Sequence, residues 1–287
     1  EGQGQGQGQG QGGDLDIFSE EEDEKELLLI FWPPVKKQSQ RGAPLRLCNK
    51  ENLLISVVTN EIEIFPLLTW SGLMDVMDYF GFQVQVKRSS AGAHIRLCID
   101  RHICPTANSY QLTVAADSGL IHVVAADSAG LLYGVYTLIQ LLKLHSEVTR
   151  DGTGTTLTVP PVSISDRPDV AQRAVLWSYR QQARTVTQRM QEQIELLSRM
   201  RINTLFLVID PSTVADASGC EISSTKVYAL DEVCRRHCVQ LVPTLVLHSI
   251  HQRLPRETLK NFSPFLSLVF VFDAESVGAE LGGRGGG

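Results

Sequence analysis

No stretch of this 287-residue chain approaches the roughly 18 consecutive apolar residues that a membrane-spanning helix needs. The longest candidates, Leu27–Trp32 and Phe265–Phe272, are far too short, so no helical membrane span is expected. Positive charge is also in short supply: 26 Lys and Arg against 32 Asp and Glu leave a net charge of -6. Nucleic acid recognition rests on clustered Lys and Arg, so no nucleic acid partner is expected. The six cysteines (Cys48, Cys98, Cys104, Cys220, Cys234 and Cys238) fit no zinc or small-disulfide spacing. Cys234 and Cys238 stand one helical turn apart with His237 beside them, but two further ligands at suitable spacing are lacking. They are read as ordinary helix cysteines, and no metal is expected. The first residue is Glu1 rather than Met, which leaves the compartment open.

What remains describes a globular chain, 43% hydrophobic and 20% charged, long enough for one large domain or two ordinary ones. Glu1–Gly13 is a Gly-Gln repeat and Ser19–Glu26 an acidic run; neither has apolar side chains to offset the entropy of ordering. Residues 1–44 are therefore read as a solvated tail and lead-in.

Alternating patterns begin next. Leu53–Val58 reads as a strand and Glu61 to Phe80 as mostly helix, with Leu67, Leu68, Met74, Val76 and Met77 on its apolar face and Gly81 as its stop. Phe82–Val86 and His94–Ile99 read as strands, followed by Tyr110–Val114 and Leu120–Ala125. Asp127 can cap a helix running to Leu144, whose Leu131, Val135, Leu138 and Leu142 form one stripe. Strands interleaved with two such helices predict an antiparallel sheet with helices on one face, an α+β domain over 45–150. Gly152 and Gly154 open a linker, 151–172, in which Thr155–Ile164 returns as an extended segment; Pro160, Pro161 and Pro168 exclude helix there.

From Arg173 the rhythm changes. Ala174–Trp177 reads as a buried strand and Thr204–Ile209 and Val239–Leu247 as a second and third strand, alternating with helices at Thr185–Met200 and Lys226–His237. Such βα units predict parallel strands with right-handed crossovers. A TIM-type (β/α)8 barrel fits, but three strands cannot close one, because the barrel needs eight. Residues 173–272 are thus expected to hold the first βα units of an incomplete barrel. Ser267 onward is expected not to continue it, and 273–287 to form an irregular Gly-rich tail.

The stretch DSAGLLYGVYTLIQLL (Asp127–Leu142) and the segment Val162–Arg173, containing Asp166-Arg167-Pro168, resemble the junction between the N-terminal domain and the catalytic barrel of family 20 glycoside hydrolases, the β-N-acetylhexosaminidases. The resemblance runs roughly from Leu45 to Leu259. It implies a retaining, substrate-assisted hydrolysis of terminal N-acetylhexosamine from glycans, with no cofactor, and a lysosomal or secreted setting. Gly130, Tyr133, Gly134 and Pro168 would be structural. By the same resemblance Arg180 would contact sugar hydroxyls and Asp210 would help hold a histidine, for which His248 and His251 stand on either side of the expected position, Ile250. Ala174, Ser178 and Thr244 depart from the family pattern.

The family's adjacent Asp-Glu pair follows its fourth barrel strand. Here Asp-Glu occurs only at Asp23-Glu24, in the acidic tail, and at Asp231-Glu232, inside a predicted helix. Consecutive helix residues point about 100° apart, so Asp231 and Glu232 read as solvated charges. No catalytic residue is visible, and the chain as written is expected to be inactive. The alternative is a non-catalytic carbohydrate-binding or interaction protein derived from the enzyme. An N-acetylhexosamine-containing glycan is the expected partner; homo-oligomerisation is compatible with the sequence and not specified by it.

Overall fold

The computed structural model describes residues 29–50, 52–59, 68–88, 91–152, 154–178, 188–209, 224–247 and 269–272. The first unit is built on a seven-stranded sheet in the order β1-β10-β6-β7-β5-β3-β4. Its strands are β1 (Lys37–Ser39), β3 (Leu53–Thr59), β4 (Val84–Lys87), β5 (Ile95–Ile99), β6 (Tyr110–Ala115), β7 (Leu120–Ala125) and β10 (Val162–Asp166). A smaller antiparallel sheet joins β2 (Leu45–Cys48), β9 (Gly154–Val159) and β8 (Glu147–Asp151).

The large sheet is mixed, not antiparallel as expected. β4, β3, β5 and β7 are parallel neighbours, whereas β7, β6, β10 and β1 alternate in direction. The connection explains the difference. Helix α1 (Leu68–Tyr79) lies between β3 and β4, and a helical crossover returns the chain to the end from which it started. In β5 the buried Ile95, Leu97 and Ile99 alternate with the half-buried Arg96 and Cys98. Such alternation reports one covered and one open face; it carries no information about strand direction.

Helix α2 (Ser128–Gln140), extended by a π-helical turn over Leu141–His145, packs with α1 on one face of this sheet. Asp127 caps α2, its Oδ1 accepting from the Gly130 N–H at 2.8 Å, and the expected stripe Leu131, Val135, Leu138 and Leu142 is fully buried. On α1, Val76 and Met77 are buried as expected, together with Leu73; Leu67 lies outside the described residues. Residues 151–172, expected as a linker, are largely sheet. β9 completes a hairpin with β8, and β10 inserts between β1 and β6. The lead-in likewise belongs to the domain, since β1 is its edge strand and Phe31 is buried in its core.

The second unit is a four-stranded parallel sheet in sequence order: β11 (Ala174–Ser178), β12 (Thr204–Ile209), β13 (Gln240–Leu247) and β14 (Val269–Phe272). Helices α3 (Gln188–Arg199) and α4 (Ser224–Arg236) share one face, where Ile194, Leu205, Leu207, Leu230, Cys234 and Leu245 form a second core. Ser267 onward was expected not to continue the βα units, but Val269–Phe272 adds a fourth strand to the sheet, pairing with Thr244–Leu247 in parallel. Four β-branched and aromatic residues suffice for a strand when an in-register neighbour supplies the ladder.

Candidate functional site

Parallel βα architecture places reactive groups beyond the C-terminal ends of the strands. Here Ser178, Val208, Thr244 and Val269 are in register across the sheet, so the C-terminal ends of β11 and β12 lie level with the middle of β13 and the start of β14. Arg180, Asp210, His248 and His251 each follow one of these strands in sequence, and all four lie outside the described residues. Ser178 is exposed, while Thr244 is buried with its hydroxyl donating to the Val242 carbonyl at 3.3 Å.

Asp231 and Glu232 sit on α4 and pair with Arg235 and Arg236 at 3.0 Å each, as surface charges do. Burial, and then the nearby Asp231 charge, raise the Cys234 thiol to about 12, which keeps it protonated. Among the described residues no group of three His, Cys, Asp or Glu side chains is arranged to hold a metal ion.

The opposite edge, at the N-terminal ends of β11 and β12, is where polar groups converge. A cleft of about 390 Å³ opens between the two units, lined by Pro33, Tyr110, Tyr133, Asp166, Arg173 and Arg201 among others. Two arginines organise it. The Arg173 Nε donates to the Arg201 carbonyl at 2.6 Å, Nη1 to the Val170 carbonyl at 2.7 Å, and Nη2 to Asn108 Oδ1 at 3.2 Å. Its guanidinium stacks 5.9 Å from the Tyr133 ring centre.

Arg201 forms an ion pair with Asp166, donates to the Tyr110 hydroxyl at 3.1 Å and stacks 5.8 Å from that ring. A third pair, Arg199 over Tyr136 at 5.6 Å, repeats the theme on α3. Burial raises the phenol of Tyr136 to about 12 and moves those of Tyr110 and Tyr133 upward as well, so all three rings remain neutral stacking platforms.

Helix geometry aims Arg201. Its N–H donates to the Ser198 carbonyl at 2.8 Å and that of Ile202 to the Leu197 carbonyl at 2.9 Å, closing α3 with Arg201 left-handed at φ 62. Arg173 is held by Asn203, whose Oδ1 accepts from the Arg173 N–H at 2.8 Å. Asp166, Arg173 and Tyr133 were legible in the sequence as junction residues. Arg201 was not, because its partners are 35 and 91 residues away and no local pattern announces them. Chemically the cluster is a clasp: its guanidinium groups are spent on carbonyls, phenols and one carboxylate.

Residues 69–167 match the sequence profile described as glycosyl hydrolase family 20, domain 2. The chain carries domain 2 of glycosyl hydrolase family 20. This match covers β4 to β10 and both helices of the first unit, and it ends at the clasp. No curated protein matches the chain in sequence.

Solved structures extend the likeness of fold past the family 20 domain into the parallel sheet. The β-N-acetylhexosaminidase of Bacteroides fragilis superposes with a TM-score of 0.58 at 18% identity, over 82% of this chain and 48% of that one. The exo-β-N-acetylglucosaminidase of Vibrio harveyi, solved with N-acetylglucosamine, gives 0.57 at 14% identity over 81% and 38%. A mutant β-hexosaminidase of Streptomyces plicatus, solved with its product, gives 0.56 at 20% identity over 75% and 45%. The chain thus spans less than half the length of each of these enzymes.

Proposed function

We propose that this chain belongs to a β-N-acetylhexosaminidase-like glycoside hydrolase, removing terminal N-acetylhexosamine from glycans with retention of configuration. The observation that carries the reading is the hand-over at Asp166–Arg173. There the family 20 domain passes through an Arg–Tyr clasp directly into the first strand of a parallel sheet. In the proposed reaction the substrate's acetamido oxygen attacks the anomeric carbon, an exception to the two-carboxylate scheme. An Asp orients that acetamide, and an adjacent Glu protonates the departing oxygen and then activates water. Arg180 would grip sugar hydroxyls through its planar fork, with Asp210 and one of His248 or His251 behind the acid. No cofactor takes part in this scheme.

Neither Asp-Glu pair in the sequence suits this chemistry, so residues 1–287 are proposed to be inactive by themselves, the acid being supplied by a longer product. A second reading is favoured by Ala174, Ser178, Thr244 and Ile250, which thin the family pattern where the chain is present. It makes the protein a carbohydrate-binding relative without catalysis. Hydrolysis of a fluorogenic N-acetylglucosaminide by the longest natural product, abolished when the downstream Glu is changed to Gln, is the expected result. A complete reading frame without an Asp-Glu pair after the fourth strand would sink the enzyme reading and leave the binding one.

A further inference from the structure

The helices α1 and α2 cover only one face of the seven-stranded sheet. Strand register places one row of side chains straight across the other: Ser163, Thr113, His122, Arg96, Ser56 and Lys87, on β10, β6, β7, β5, β3 and β4 in turn. At about 4.8 Å per strand, five spacings make the row roughly 24 Å long. Every member is polar. Ser39 pairs with Ser163 and extends the row into a cleft of about 190 Å³ that also holds Arg41 and Asp117.

Three properties of this face go beyond ordinary solvation. First, the charges on its described strand positions all have one sign. Lys37, Arg96 and Lys87 lie there with no Asp or Glu, in a chain whose net charge is -6. Second, Ser56 is 1% exposed, and neither its Oγ nor the buried His122 Nε2 has a hydrogen-bond partner. Buried polar atoms are almost always partnered, because an unmade bond forfeits the hydration it replaced. Third, no Phe, Tyr or Trp occupies a described strand position of this face, which removes the stacking platforms that single-stranded nucleic acid requires. A long, narrow row of hydroxyls and cations fits a linear ligand that repeats both hydroxyl and anionic groups.

We propose that this face, free of helices among the described residues, binds a linear anionic polysaccharide, its sulfate or uronate groups seated along the row from Ser163 to Lys87. The proposal is independent of the hydrolase reading, since it concerns the face away from the helices and is read by binding alone. The test is titration calorimetry of the full chain with sulfated heparin and chondroitin hexasaccharides, beside a neutral N-acetylglucosamine hexamer, poly-glutamate and single-stranded DNA.

Saturable binding of a sulfated hexasaccharide is expected, weakened at least tenfold by Lys87→Glu and by Arg96→Gln, and by raised salt. Arg150→Glu, on the exposed β8 of the other sheet, is expected to leave it unchanged. Lys87 lies on an exposed edge strand, so its variant keeps the test alive if Arg96→Gln fails to fold. Absence of binding, binding indifferent to Lys87→Glu, or equal binding of poly-glutamate or DNA through the same residues would overturn the proposal.

Discussion

Asp166 is a buried carboxylate with its side chain 3% exposed, and three donors converge on it: the Lys36 N–H at 3.3 Å, the Arg167 N–H at 3.0 Å and the Arg201 guanidinium. Removing the guanidinium alone strands a desolvated charge, which costs about 3–5 kcal/mol, whereas replacing both partners by apolar groups of similar volume is close to neutral. Arg201→Ala is therefore expected to lower the urea-unfolding free energy by that amount, and Asp166→Leu with Arg201→Met to recover most of it. Equal losses in the single and double variants would show that the pair is not coupled.

A second residue-scale effect concerns His122 and His237, both held below the ordinary value of 6.5, chiefly by burial. A base whose folded pKa is depressed takes up protons more readily when unfolded. Its contribution to stability is then complete above about pH 6.5 and is lost as pH falls toward the folded value. Stability is expected to drop on acidification from pH 7.5 to 5.5, by less in His237→Gln, as measured by urea titration at each pH.

Among the elements, α2 makes the closest approach. A Cβ built on Gly130 would stand 2.5 Å from the Ser109 carbonyl oxygen, and one on Gly134 would stand 2.6 Å from Val123 Cγ1. Backbone cannot swing aside as a side-chain methyl can, so Gly130→Ala is expected to be the more damaging. The loss is about 1–3 kcal/mol by thermal melting, the range for overpacking. Gly152→Ala, with nothing within 4 Å, is the neutral comparison. These contacts give physical content to the motif residues Gly130 and Gly134, which the sequence marked as structural. The elements themselves were legible because each carries its own period: α2 was read from a stripe and a cap, β6 and β7 from alternation. Strand direction and partnership were not, since β10 joins β1, 124 to 128 positions away, and β6, 48 to 56 positions away, and no local pattern announces either pairing.

 Ser163, for instance, pairs with Ser39 on one side and Thr113 on the other, and nothing within reach of Ser163 along the chain specifies either partner.

At the scale of the whole molecule, the order of elements was legible in the sequence and the long-range contacts were not. The βα rhythm after Arg173 foretold a parallel sheet, in which β11 and β12 end side by side at Ser178 and Ile209. The clasp at the other edge escaped because it is assembled from Asp166, Arg201 and Tyr110, which only tertiary folding brings together.

The same architecture makes a last prediction. α3 and α4 cover one face of the four-stranded sheet, and on the other face exposure rises from the buried Val242 and Thr244 of β13 to an open apolar edge at β11. Leu176, in the middle of β11, is 71% exposed there, beside the partly buried Phe206 with which it pairs. An apolar edge left in water drives association. Residues 1–287 are expected to self-associate as concentration rises and to bind an apolar dye, and Leu176→Thr is expected to reduce both. Because Leu176 is exposed, its loss removes little folded-state packing, and the melting temperature should stay nearly unchanged. Sedimentation velocity across a concentration series is the measurement; a sharply melting monomer that excludes the dye at every concentration would show that this face is already covered.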